Sequence, residues 1–306
     1  MKYSGIGGQA VMEGVMMKNQ EQYAVAVRKP DGDIEVETKD YKGLVKNQTL
    51  RKLPIFRGVL SFVESLVLGI STLTYSASFY EEEETEKTKQ IDDAKKQKKE
   101  KAEMGFTVAL SVVLAVGIFM VLPYYLSLLF GKLVTSHVVL ALIEGVIRLG
   151  LFLAYVAGIS LMEDIKRVFM YHGAEHKCIN CIEHGMELNV ENVKKSSRQH
   201  KRCGTSFLLF VMVVSIVFFA FIDVKSRIMK LVLRLLLIPV IAGVSYEFIR
   251  LAGRSDNWLV NIISKPGLWL QKLTTREPDD SMIEVGIASV EAVFDWRTYL
   301  KEQADV

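Results

Sequence analysis

Phe106–Phe130, FTVALSVVLAVGIFMVLPYYLSLLF, decides how the rest of the chain is read, because it holds no charged side chain. A bilayer core about 30 Å thick takes roughly 20 helical residues to cross. A backbone in lipid must satisfy its own hydrogen bonds, which leaves a helix as the form. Three more apolar stretches follow at Val138–Met162, Ser206–Ile222 and Ile228–Ile249. Buried core helices are the competing reading, but four such stretches in 306 residues count against it. The expected fold is a mainly α-helical integral membrane protein with about four transmembrane helices.

Half the residues are apolar, 24% are charged and mean hydropathy is +0.23. Those values coexist when the two kinds of residue are segregated into blocks. The net charge of +3 says little, but its placement says more. Seven lysines lie between Glu81 and Glu103, and eight Lys or Arg between Asp164 and Cys203. The opposite loops hold Lys132 on one side and Lys225, Arg227 and Lys230 on the other. The positive-inside rule then puts both termini and the loop between spans two and three in the cytoplasm. Met1–Met17 lacks a basic start followed by an apolar run, so no signal peptide is expected. The three cysteines are expected to be reduced.

Outward from the spans, residues 1–52 read as a small N-terminal β unit. Tyr23–Arg28 and Ile34–Lys39 alternate and are joined across Lys29-Pro30-Asp31-Gly32-Asp33, a hairpin signal. The glycine-rich Gly5–Met17 reads as a third strand or a packed loop. Residues 53–105 hold Pro54–Tyr80, long enough to cross but carrying Arg57 and Glu64. It reads as an interfacial or partly inserted helix. A charged segment follows, with Glu83–Lys87 and Asp92–Lys96 at helical pairing distance. Residues 106–250 form the four-span domain with a cytoplasmic loop at 163–204. Residues 251–306 read as cytoplasmic amphipathic helices: Asp256–Ser264, Pro266–Leu273, and a longer one opening near Pro278-Asp279-Asp280.

The second span runs on into Tyr171-His172-Gly173-Ala174-Glu175-His176. Histidines four apart share one helix face, so His172 and His176 can reach one metal ion. Glu175 beside them is placed to polarise a metal-bound water, in the His-x-x-Glu-His order of the inverted zinc-hydrolase motif. A third ligand is needed. Glu247, an acid near the end of the fourth span, is the preferred candidate. His200 and Cys203 form a second candidate pair. The bland reading is that these groups satisfy one another at a membrane border. Cys178, Cys181, His184, His200 and Cys203 also allow a closed structural zinc site, or three buried thiols. Glu144 and Arg148, four apart in the second span, are expected to neutralise each other, and Arg57 with Glu64 similarly. Glu13 reads as a surface glutamate on a strand, with a turn cap or a contact to the polar site as the alternatives.

Gly7–Met17, Tyr171-His172-Gly173-Ala174-Glu175-His176-Lys177 and Arg202-Cys203-Gly204-Thr205-Ser206-Phe207 resemble the DUF1385 family. Leu251-Ala252-Gly253-Arg254, Pro266–Gln271 and Glu277-Pro278-Asp279-Asp280 fit the same pattern. The resemblance covers almost the whole chain. It implies a bacterial multi-pass membrane protein with relatives in plastids, labelled a predicted metal-dependent enzyme, with no known substrate. His172, Glu175, His176, His200 and Cys203 match the pattern. Lys201 stands where the family tends to have proline. In that family small or aromatic residues usually stand at the positions matching Cys178 and Cys181, so zinc on those thiols would be peculiar to this chain.

The function expected is a metal-dependent hydrolase of the bacterial cytoplasmic membrane, with a divalent metal, zinc first, and Glu175 as general base. The alternative is a non-enzymatic oligomeric scaffold or assembly factor. Expected partners are the lipid bilayer and a second copy or another membrane protein. Nucleotide-binding glycine patterns and basic–aromatic nucleic-acid patches are missing, so no nucleic acid is expected.

Overall fold

The computed structural model of the chain describes residues 3–45, 49, 52–80, 93–224, 226–255 and 257–304. The expected charge pairs Glu83–Lys87 and Asp92–Lys96, and Asp256, lie outside the described residues. The chain divides into two compact units. One comprises Met1–Tyr80, Val156–Val214 and Leu237–Val306, and the other Glu81–Tyr155 and Ser215–Leu236.

Four antiparallel strands pair in sequence order: β1 Gly7–Val11, β2 Gly14–Asn19, β3 Gln22–Arg28 and β4 Ile34–Asp40. The β3–β4 hairpin follows the alternating pattern, with Arg28 opposite Ile34. The glycine-rich start forms a hairpin of its own, Val11 opposite Gly14, turning at Met12-Glu13 with Glu13 at φ 50°. Gly14 is required there, because a Cβ would lie 2.4 Å from the Ala26 carbonyl oxygen. Glu13 is not a free surface acid: its carboxylate takes Arg167, and the Tyr171 hydroxyl donates to it at 3.2 Å.

Helices dominate the rest. They are α1 Phe56–Ala77, α2 Asp93–Val116, α3 Leu122–Leu128, α4 His137–Ile159, α5 Glu163–Glu183 and α6 Val190–Lys195. After these come α7 Gly204–Ala220, α8 Arg227–Ala252, α9 Trp258–Thr274, α10 Asp280–Glu291 and α11 Trp296–Ala304. A π turn, Gly117–Val121, joins α2 to α3. Three expectations change here. The second span does not run on into the histidines, because Met162 turns extended (φ −69°, ψ 135°) and α5 starts afresh with Glu163 and Asp164 at its positive end. Pro266 does not split the C-terminal segment: it sits at an exposed position inside a continuous α9. Four helices are long and apolar enough to cross a membrane: Phe56–Ala77, Ala102–Lys132, His137–Ile159 and Arg227–Ala252. Gly204–Ala220 is apolar but shorter.

In the first unit the sheet is covered on both faces. Val15, Met17, Ala24 and Ala26 face Tyr171, Ala174, Ile179 and Ile182 of α5, together with Met282, Ile283 and Val285 of α10. The opposite face, Met16, Val25 and Val27, packs on Leu68 of α1 and on Tyr75, Phe79 and Tyr80. Apolar alternation along each strand thus serves two layers at once. α1 runs beside the sheet: the Gln9 side chain donates to the Ser65 carbonyl at 3.2 Å, and Met12 N–H to Ser76 Oγ at 3.1 Å.

The second unit is held by a charge cluster. Arg148 of α4 donates to Glu144 at 2.6 Å and to Ser215 Oγ at 2.8 Å. Arg234 of α8 forks onto both oxygens of the same Glu144, at 2.7 and 2.6 Å. The ring of Phe219 lies 4.9 Å from each guanidinium. The i,i+4 pair was therefore legible, and the second arginine was not.

Candidate metal centre

The centre is assembled on the face of α5 that meets β1. His172, Glu175, His176, Ile179 and Glu183 recur at helical spacing on that face. Gly8 of β1 makes the approach possible, because a Cβ there would sit 2.5 Å from the Met16 carbonyl oxygen and 3.0 Å from Glu175 Cγ. Gly173 does the same on the other side, where the chain leaving α9 passes so close that a Cβ would lie 2.0 Å from the Arg276 carbonyl oxygen. Arg276 N–H then bonds the Phe169 carbonyl at 2.8 Å.

This approach sets the histidine tautomers. His172 Nδ1 lies 2.8 Å from the Thr274 carbonyl oxygen, and His176 Nδ1 lies 2.6 Å from that of Arg198. A carbonyl can only accept, so each Nδ1 carries its proton and each Nε2 is left as the donor atom for an ion. The Arg198 carbonyl is itself positioned, because Asn180 ties down the Ser197 and Gln199 carbonyls beside it at 2.6 and 3.0 Å. Gln271 of α9 clamps the next residue, accepting His200 N–H and donating to the His200 carbonyl, both at 2.8 Å.

That loop delivers Cys203, whose Sγ is 3.3 Å from His172 Nε2 and 2.9 Å from Thr205 Oγ1. Ligand atoms of His172, His176 and Cys203 all lie within 4.8 Å of one another. Around a tetrahedral zinc with bonds of ~2.0–2.3 Å, donors stand roughly 3.3–3.8 Å apart. The His172–Cys203 pair already meets that spacing, and the widest spacing needs about 1 Å of side-chain adjustment. Two imidazoles and a thiolate suit zinc.

The electrostatics agree with a charged cluster. Burial pushes the Cys203 thiol up, but the imidazoles of His172 and His176 outweigh it and hold the thiol well below its ordinary range. Burial alone would lower His172, yet the Cys203 charge and hydrogen bond, with Glu175, raise it to about 9. Burial raises Glu175, against the pull of His176 and His172, and the Gly8 N–H donates to its carboxylate. The four side chains line a cavity of about 100 Å³ with Ile6, Gly8 and Arg202.

The other expected residues are placed differently. His200 is near, its ring 5.7 Å from that of His176, but its Nε2 points at Glu183 Oε2 at 3.5 Å. Glu247 is not brought to the histidines: Arg57 forks onto its carboxylate, which also leaves Arg57 unpaired with Glu64. Glu64 instead accepts the Leu44 N–H at 3.0 Å. Cys178 and Cys181 lie in the apolar core between α5 and α10, and the Cys181 thiol reaches the Glu187 carbonyl at 3.3 Å. His184 bonds the Asn180 carbonyl through Nδ1 at 2.7 Å. These three do not join a ligand group among the described residues.

Glu183 is the residue sequence reasoning missed. Fully buried, it accepts Ser4 N–H at 2.9 Å, Ser4 Oγ at 2.7 Å and Arg202 Nη2 at 2.7 Å. Burial would raise it, but His200, Arg202 and Ser4 hold it down at about 2. Its spacing, seven residues after His176 on the same helix face, was the available signal.

A family model described as "Protein of unknown function (DUF1385)" matches residues 53–296. The chain is 35% identical over 293 residues to "Uncharacterized protein YqhQ" of Bacillus subtilis (strain 168), a match covering 92% of this chain and 90% of that protein. No solved structure matches.

Proposed function

The chain belongs to the DUF1385 family, and from that premise we propose a membrane-embedded, metal-dependent hydrolase whose centre lies at the cytoplasmic face of a bacterial membrane. The observation that carries the reading is the pairing of both Nδ1 atoms with backbone carbonyls, which leaves two Nε2 atoms and one thiolate converging. His172, His176 and Cys203 hold a divalent ion, zinc first. When bound, such an ion would supply Lewis acidity and make a water at the site more acidic. Glu175, raised by burial and fixed by Gly8, accepts the proton and returns it to the leaving group. A peptide or lipid-linked bond is the substrate class that fits a site at a membrane border.

Membrane embedding is supported by exposure. Phe106, Val113, Leu129 and Leu133 are large apolar side chains open to the surroundings, far beyond what a soluble surface carries. α2–α3, α4, α7 and α8 serve as the spans. The 17 residues of α7 reach the short end of the required length. α1 is assigned to the interface because it runs beside the sheet, hydrogen-bonded to Gln9 and Met12. The basic loops then face the cytoplasm.

Elemental analysis of purified protein tests the reading. About one zinc per chain is expected in wild type, lost in His172→Ala, His176→Ala and Cys203→Ser and kept in Glu175→Gln, with cellular function lost in all four. A wild-type protein purified without chelator that carries no metal overturns it. The scaffold reading draws on the same two hydrogen bonds, which stitch α5 to α9 and to the loop at Arg198 without any ion. It gains if Glu175→Gln retains full function.

A further inference from the structure

A second cleft adjoins the metal centre. It encloses about 420 Å³ between β1, α1 and the end of α8. Ile6, Gly7, Gly8 and Arg202 line both it and the smaller cavity that holds the histidines, so the two adjoin across these residues. Arg202 stands between the two. Its Nη2 donates to Glu183, and its Nη1 is buried without a hydrogen-bond partner. A buried donor left unmade is costly, and an acceptor brought by a ligand removes that cost.

Arg250 lines the same cleft. Among the described residues its side chain makes no hydrogen bond, and it reaches Glu247 through its field while Arg57 occupies that carboxylate. Lys18 lines the cleft too, with Nζ 4.0 Å from the Tyr41 ring. Arg254 stands behind Tyr3, whose ring lies 4.2 Å from the Arg202 guanidinium and 5.5 Å from that of Arg254. The acid in the lining, Glu64, takes the Leu44 N–H. On the remaining side is β1, the edge of the sheet, where a Cβ at Gly7 would meet nothing within 4 Å. Glycine there leaves the cleft open on that side.

We propose that this cleft, built from Arg202, Arg250, Lys18 and the glycine-rich start of β1, is a phosphoryl-binding subsite of the metal centre. A carboxylate is planar and satisfied by one guanidinium fork. Cations approaching from several directions match a tetrahedral, multiply charged anion. The proposal deepens the hydrolase reading by naming the substrate class: a molecule with a phosphoryl group beside the bond placed at His172, His176 and Cys203. A lipid headgroup and a soluble phosphate share that chemistry.

The test is binding to the full chain in phosphate-free detergent after metal has been stripped, so that its outcome is independent of the metal reading. Short-chain phosphatidic acid, the matching diacylglycerol and inorganic pyrophosphate are titrated separately and in competition. Phosphatidic acid is expected to bind at least about tenfold more tightly than diacylglycerol, and Arg250→Gln to weaken it by about tenfold or more, as loss of a charge-assisted bond implies. Arg250→Lys, which keeps charge and loses the fork, falls between. Displacement by pyrophosphate shows that a free phosphoryl group suffices. Phosphatidic acid that binds without being displaced identifies the lipid headgroup as the source. Equal binding of phosphatidic acid and diacylglycerol with no pyrophosphate binding overturns the proposal. So does phosphatidic acid affinity unchanged in a folded Arg250→Gln.

Discussion

Cys203 Sγ lies 3.3 Å from His172 Nε2, so a proton leaving the thiol has an imidazole to receive it. The three cysteines are thereby set apart. Burial pushes the Cys178 thiol up, and Cys181 up to about 11. Small haloacetamides at neutral pH should modify Cys203 alone, and the rate should persist below the pH at which an ordinary thiol stops reacting. Peptide mapping reads the site. Stoichiometric zinc should protect it, and Cys203→Ser should abolish the label. Labelling spread evenly over the three residues would contradict the assignment.

His200 and Glu183 give the protein an acid-sensitive joint. Burial, with Arg202 and His176, depresses His200 from 6.5 to about 4, and Glu183 is depressed from 4.5 to about 2. In both cases the unfolded chain binds more protons than the folded one, so stability falls as pH falls. The His200 contribution is complete above pH 6.5 and drains towards pH 4; that of Glu183 drains from 4.5 towards 2. Melting temperature in detergent should decline over the first window, and His200→Gln should flatten that decline.

Gly173→Ala should damage the centre without touching a ligand. Its Cβ would lie 2.0 Å from the Arg276 oxygen, so the segment leaving α9 must move and carry the Thr274 carbonyl away from His172. Overpacking of this kind costs ~1–3 kcal/mol, and losing an outer hydrogen bond costs a metal site about 10–100-fold in affinity. Gly158→Ala, where a Cβ meets nothing within 4 Å, is the control and should change neither quantity.

Glu144 serves two buried arginines with one carboxylate. Glu144→Gln leaves both guanidiniums uncompensated and should destabilise the second unit by ~3–5 kcal/mol, the usual cost of removing one partner of a buried ion cluster. Folded yield and melting temperature should fall together. Adding Arg234→Leu should recover part of the loss, and no recovery would mean that the aromatic faces carry the cluster.

The three tryptophans report on where α9 sits. Trp258 and Trp269 are 70% and 62% exposed on its apolar side, while Trp296 is 7% exposed in the core. Brominated lipids should quench the first two and spare the third, as expected for an interfacial helix. Quenching by aqueous iodide instead would place α9 in water.

The segregated apolar blocks, the β3–β4 hairpin and the Asp279 cap of α10 were legible because each rests on local pattern. The β1–β2 hairpin was half hidden, since glycine and methionine show little alternation and Met12-Glu13 is not a usual turn pair. Within the site, His172, Glu175 and His176 declare themselves by spacing, and Cys203 was among the expected donors. Glu247 misled because its partner Arg57 lies 190 residues earlier, and no spacing rule reveals such a pairing. Glu183 looked like an ordinary helix acid because its burial depends on Ser4, 179 residues earlier, and on Arg202, 19 residues later.

α9 is built inside out, with Gln271 and Thr274 turned inward and Trp258, Ile262 and Trp269 outward. On the interfacial placement that the tryptophans test, the face turned to lipid lies opposite the carbonyl that fixes the His172 proton. A bilayer that is thinned, stiffened or washed away would therefore tilt this helix and alter how basic His172 Nε2 is. Zinc affinity compared across bilayers of different chain length should vary accordingly, making occupancy a reading of membrane condition as well as of ion supply.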